Sequence, residues 1–111
     1  MHHPLAAPLQ AAGLRQTFSR LEVLSQFCLA GDQASTGAEV YAGLTRRGVP
    51  MAYSTVYRML QTLSYAGLLL PAGTRGRHPC YRPSSAVLNA WKARPSPVSG
   101  VGLSGPTSPS A

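Results

Sequence analysis

Apolar residues recur at helical spacing in three blocks of this chain. In the first, Leu21, Leu24 and Cys28 share a face, with Val23 and Phe27 beside them. Thr17 precedes the block as an N-cap and Gly31 follows it, so the pattern predicts a helix over 18–30. In the second, Val40, Tyr41 and Leu44 form the inward face of a helix that Thr36 and Glu39 open. Threonine three residues ahead of glutamate is a capping box, in which hydroxyl and carboxylate each satisfy a backbone N–H left open by the first turn. Arg46 and Arg47 fall in its last turn, where cations suit the helix dipole, and Gly48 ends it. In the third, Val56, Leu60 and Leu63 recur at i, i+4 and i+7 with Met59 alongside, predicting a helix over 53–66.

The polar positions of that third block are as ordered as the apolar ones. At about 100° per residue, Ser54, Tyr57, Arg58, Gln61 and Tyr65 fall opposite the apolar stripe. The stretch AYSTVYRML, residues 52–60, therefore has one face to bury and one rich in hydrogen-bonding side chains.

The flanks are patterned differently. Residues 1–13 are rich in Ala, Pro and Leu and predict a short helix from Pro8 to near Gly13. LLLPAGTRGRHPCYR reads as a β-hairpin with strands at 68–70 and 79–82. Gly73 and Gly76 permit the turn, and Arg75, Arg77 and His78 decorate its tip. Pro71 and Pro79 each remove a ladder donor, so the hairpin is expected to be short and edge-like. SSAVLNAWK has the material for a turn or two of helix anchored by Val87, Leu88 and Trp91. The Pro/Gly/Ser-rich remainder has no period and too little apolar surface to offset its ordering entropy. The layout is an N-terminal arm (1–13), a folded domain (14–83) and a disordered tail (84–111). Three helices followed by a hairpin is mainly α with a small β-hairpin, the order of a winged helix-turn-helix.

Charge adds direction to this outline. Ten Lys/Arg face three acids, Glu22, Asp32 and Glu39, for a net charge of +7. Residues 1–39 sum to −1 and residues 40–111 to +8, a field that attracts polyanions. In a winged helix-turn-helix the last helix enters the DNA major groove and the hairpin lies along the backbone. Arg58 suits bidentate bonds to guanine, and Ser54, Thr55 and Gln61 suit other base edges. Tyr53 and Tyr57 suit thymine methyls or phosphate. Arg75 and Arg77 on the wing, with Arg15 and Arg46 or Arg47, are candidates for phosphate, which gives affinity without sequence information.

Other classes find less support. No acids are paired for general acid/base work, no Ser/His/Asp or Cys/His set has a recognisable context, and no Gly-rich phosphate loop follows a strand. The chain is expected not to be an enzyme and to take no small-molecule substrate. No run approaches the ~20 apolar residues of a membrane span, and the N-terminus lacks the basic-then-apolar order of a secretory signal. A cytoplasmic location with reduced thiols at Cys28 and Cys80 follows. Cys28 reads as a packed thiol and Tyr41 as helix packing. His2 and His3 read as an exposed, inert pair. His78 and Cys80 alone cannot complete the tetrahedral set that zinc takes, so neither metal nor cofactor is expected.

GLRQTFSRLEVL, STGAEVYAGL and above all STVYRMLQTLSYAGLL resemble the N-terminal DNA-binding domain of the ferric uptake regulator family, over roughly residues 13–83. That family contains iron-, zinc-, manganese- and peroxide-responsive bacterial repressors. The resemblance implies a dimeric repressor that binds palindromic operators when metal-loaded. It carries Thr55, Tyr57 and Arg58 over as recognition-helix residues, Tyr57 and Arg58 for base and backbone contact. Tyr53 and Ser54 occupy variable positions, and Ala52 stands where a capping serine is common. The departures are specific. The family's second domain makes the dimer and holds histidine clusters and CxxC pairs, whereas no His or Cys follows Cys80 here. The histidine frequent before the Glu39 helix is replaced by Gln33 and Ala34, and the glutamate frequent after the wing tyrosine is Arg82. The expectation is a metal-independent reader of double-stranded DNA, either a truncated or frame-altered member or a stand-alone module. Lacking the dimerisation domain, it should bind weakly and with strong salt dependence. Two alternatives remain open: a protein-interaction module using Tyr53, Tyr57 and Tyr65, and a non-specific RNA or single-strand binder using the basic tail.

Overall fold

Helix starts follow the capping residues closely. In the computed structural model, which describes residues 3–93, α1 spans Ala6–Ala11, α2 Phe18–Leu29, α3 Gly37–Arg46, α4 Tyr53–Tyr65 and α5 Ser85–Lys92. Thr17 Oγ1 accepts from Arg20 N (3.2 Å) at the head of α2. Thr36 and Glu39 close the predicted capping box on α3, with Glu39 Oε1 accepting from Thr36 N at 2.9 Å. Ser84 Oγ accepts from Val87 N (3.4 Å) at α5. α4 begins on Ala52 with no side-chain cap.

The sheet is larger than the sequence predicts. It has three antiparallel strands in the order β1–β3–β2, with β1 at Ser35–Thr36, β2 at Leu69–Arg75 and β3 at His78–Pro83. Ser35 pairs with Tyr81 and Thr36 with Cys80. A two-residue strand has no period to read, and its residues are the same ones that cap α3. The hairpin also runs past both prolines. β2 is an edge strand, and β1 reaches β3 only at Cys80 and Tyr81, so Pro79 needs a ladder partner on one side alone. The register shifts between Pro71 and Thr74, where Gly73 adopts φ +83°, a conformation costly for residues with a Cβ.

α2, α3 and α4 enclose the core with the predicted stripes: Val23, Leu24 and Phe27, Val40 and Leu44, and Val56, Leu60 and Leu63 are all buried. α2 and α3 approach so closely that a Cβ on Gly43 would lie 2.1 Å from Gln26 Nε2. The base of the wing joins through Leu68 and Leu69.

Both flanks differ from expectation. α1 begins before Pro8, and Leu5 and Leu9 are fully buried, so the arm is part of the core. His3 is half-buried rather than exposed. Its Nδ1 accepts from Leu5 N (3.0 Å), which leaves the proton on Nε2, 3.2 Å from Ser25 Oγ on α2. Residues 85–92 of the predicted tail form α5, which packs on α1, α2 and β3 with Val87 buried and Trp91 against the core. The rest of the predicted tail, 94–111, lies outside the described residues, as does His2.

Candidate nucleic-acid interface

Burial of Val56, Leu60 and Leu63 fixes which way α4 faces. With that stripe against the core, Tyr53, Ser54, Tyr57, Arg58, Gln61 and Tyr65 are exposed, and Thr55 is half-buried. Tyr57 is 52% exposed and stands next to Arg58 on the outer surface. α4 thus gathers every site residue proposed for it except Thr55 onto open surface, while the Thr55 side chain sits at the margin.

Tyr41 is a part of this surface that periodicity misplaces. It is predicted to face inward, yet it is exposed on α3, and its ring meets that of Tyr53 edge to face, with centroids 5.5 Å apart and planes at 75°. Edge-to-face contact sets the positive rim of one ring against the negative face of the other. On the other side of Tyr53, a Cβ on Gly37 would lie 3.5 Å from its hydroxyl and 3.0 Å from Leu60 Cδ1. No sequence period links position 41 to position 53, because the two lie on different helices.

The wing reaches the same surface. A small cleft of about 80 Å³ is lined by Gly37, Tyr53, Tyr57, His78, Pro79 and Tyr81 among others, so it joins the start of α3, the outer face of α4 and β3. A broader groove of about 650 Å³ runs along Tyr41, Thr45, Pro50 and Met51 to the start of α4.

The cations divide into two groups. Among the described residues the ion pairs are Arg47 with Glu22, at 3.2 Å, and Arg75 with Glu39. Arg47 Nε also donates to Gln26 Oε1 (2.8 Å), so its guanidinium is engaged within the fold. Arg75 donates its second amino group to the Ala34 carbonyl (3.1 Å). The Glu39 carboxyl is held below the usual carboxylate range, first by the Thr36 N–H and then by Arg75. Arg15, Arg58 and Arg77 are exposed and meet no carboxylate among the described residues. Of the two wing arginines named as phosphate contacts, Arg77 at the turn presents its charge outward and Arg75 is turned to Glu39.

Cys80 and His78 do not converge. The thiol is buried and donates to the His78 carbonyl, 3.9 Å away, while the His78 side chain is on exposed surface. No helix among the described residues is long and apolar enough to cross a membrane.

Residues 11–87 match the model of the Ferric uptake regulator family. The chain is 31% identical over 70 residues to the ferric uptake regulation protein of Pseudomonas aeruginosa, an alignment covering 63% of this chain and 52% of that protein. It spans about half the length of the curated relatives it matches. The ferric uptake regulator of Vibrio cholerae superposes with a TM-score of 0.66 at 28% identity, over 72% of this chain and 61% of that one. The Pseudomonas aeruginosa regulator solved with manganese gives the same score and identity, over 77% and 63%. Among the described residues here, no three His, Cys, Asp or Glu side chains stand together as metal ligands.

Proposed function

The chain belongs to the ferric uptake regulator family, whose winged-helix fold it shares, and from that premise we propose that it is a cytoplasmic, DNA-binding transcription regulator of the repressor kind. It reads double-stranded DNA with α4 and a basic wing. The observation that carries this reading is the outer face of α4, where Tyr57 and Arg58 stand exposed opposite the buried stripe of Val56, Leu60 and Leu63. A helix presented in this way fits the major groove, where each base pair displays its own donor and acceptor pattern. Arg58 takes guanine bidentately. Ser54 and Gln61 take neighbouring edges, Tyr57 packs on thymine methyls or bonds phosphate, and Thr55 and Tyr53 flank them at the helix start. Arg77 and Arg15 hold phosphates and set the register. Residues 3–93 form one such reading head, so one copy engages one half-site, and binding falls steeply with salt.

Anisotropy titration with a palindromic AT-rich duplex and a scrambled one, at two salt concentrations and with and without chelator, tests this. Arg58→Ala is expected to lower discrimination between the duplexes by ~1–3 kcal/mol. Arg77→Ala should weaken both duplexes alike and reduce the salt slope by about one. Chelator should change nothing. An unaltered cognate-to-scrambled ratio in Arg58→Ala rejects the assignment. One further observation supports the alternative of a protein-docking surface: Tyr65, at the end of α4, is 96% exposed. That alternative predicts partner binding that survives high salt in a chain with no affinity for duplex.

A further inference from the structure

We propose that Glu39 and Arg75 are the positioning pair that sets the wing against the helix-turn-helix, and that Arg75 is a strut rather than a phosphate ligand. This rests on the DNA-reading role above for what the wing is for, and on the structure for how it is held.

The wing has a secure base and an insecure tip. Leu69 and Pro83, paired across its base, are both buried. From Gly73 to Pro79 every residue is exposed, so no apolar burial fixes the outer half. Arg75 stands there, paired with His78 across the hairpin. Its guanidinium makes side-chain hydrogen bonds that join this outer half to the body of the domain. One amino group meets Glu39, and the other donates to the Ala34 carbonyl at 3.1 Å. The fork therefore clasps the chain on both sides of β1.

Glu39 is equally constrained. Its Oε1 accepts from the Thr36 backbone (2.9 Å), and Thr36 is buried and paired with Cys80 in the sheet. One carboxylate thus closes the head of α3 and receives the wing, so the angle of the wing is tied to that of the helix packed on α4. To hold a phosphate as its main partner, Arg75 would have to abandon two contacts at once. A planar guanidinium with fixed donor directions suits such a two-point clasp, and an ammonium does not. A wing already in its bound orientation has less ordering to undergo on DNA, which raises affinity without adding a contact.

Glu39→Gln is the informative variant, because glutamine still serves the capping box while the charge is lost. In the protein without DNA, hydrogen exchange of the wing amides at 74–80 should quicken in Glu39→Gln and in Arg75→Ala, with α2 amides unchanged. The change is expected to be roughly two- to five-fold, the range that an exposed ion pair supports. On duplex, each variant should weaken binding by a similar factor with the salt slope unchanged, and the double variant should be no worse than Arg75→Ala. Arg75→Lys should behave like Arg75→Ala. The proposal is overturned if wing exchange is unchanged, or if wing and α2 amides quicken together. It is also overturned if Arg75→Ala removes about one from the salt slope while Glu39→Gln tightens binding, which would make Arg75 a phosphate ligand masked by its acid. A wild-type chain that ignores duplex rejects the DNA reading, and the exchange experiment then still decides whether the strut exists.

Discussion

Tyr41 and Tyr53 meet from two different helices, and neither ring is buried. Contacts of this kind are worth ~0.5–1.5 kcal/mol beyond area burial. A Tyr41→Leu, Tyr53→Leu double-mutant cycle, followed by thermal unfolding, should return a coupling of that order. His3 makes a second local prediction. Burial holds its imidazole below the ordinary value of about 6.5, with Glu22 pulling weakly the other way. Between the folded value and 6.5 the unfolded chain binds more protons than the native one, so stability rises with pH there. It is complete above 6.5 and lost on acidification until the native ring itself protonates and disturbs the Leu5 and Ser25 bonds. Melting temperature should fall from pH 7.5 to 5.5 in the wild type, and by less in His3→Gln. Glu39, whose folded value is depressed, adds a separate loss at lower pH, below about 4.5, that Glu39→Gln should remove. At this scale the outward set on α4 was legible, because Val56, Leu60 and Leu63 fix the opposite face. The pairing of Arg75 was not, because Glu39 lies 36 residues away in the chain.

Among the four longer helices, α4 is the one that lacks a side-chain cap. Thr17, Thr36 and Ser84 close the first turns of α2, α3 and α5, while Ala52 offers α4 nothing. Ala52→Ser should raise stability by ~0.5–1 kcal/mol, read as an increase in melting temperature. α2, α3 and α4 were recoverable to within a residue or so at each end because each has an apolar stripe and a stop signal such as Gly31, Gly48 or Gly67. β1 and the outer hairpin were not. β1 exists because β3 happens to lie beside Ser35 and Thr36, and the prolines are tolerated because of which strands flank them. Both are tertiary facts with no local trace. α2 and α3 also share a close approach at Gly43, where Gly43→Ala would push on Gln26, the acceptor for Arg47 Nε.

Over the whole molecule, α1 and α5 pack together and seal the core from the two ends of the described chain. Leu9 is fully buried although it lies outside the 11–87 family match. Leu9→Ala should therefore cost ~2–5 kcal/mol in urea unfolding with an unchanged m-value; a detached arm would leave the midpoint where it was. Charge is organised on the same scale. Two of the three acids engage Arg47 and Arg75, and the exposed cations that meet no carboxylate among the described residues include Arg58 on α4 and Arg77 on the wing. The asymmetry of sign along the sequence points to a polyanion partner, but it does not reveal which cations stay clear of carboxylates.

Cys28 and Cys80 are each 3% exposed, Cys28 within the hydrophobic core on α2 and Cys80 on the central strand. A buried thiol is out of reach of water-borne disulfide reagents. An intact molecule should give no colour with such a reagent, and each opening of the fold should be recorded as a modified sulfur. Reagent uptake would then serve as a clock, with the order in which the two sulfurs react telling whether the sheet or the helix lets go first.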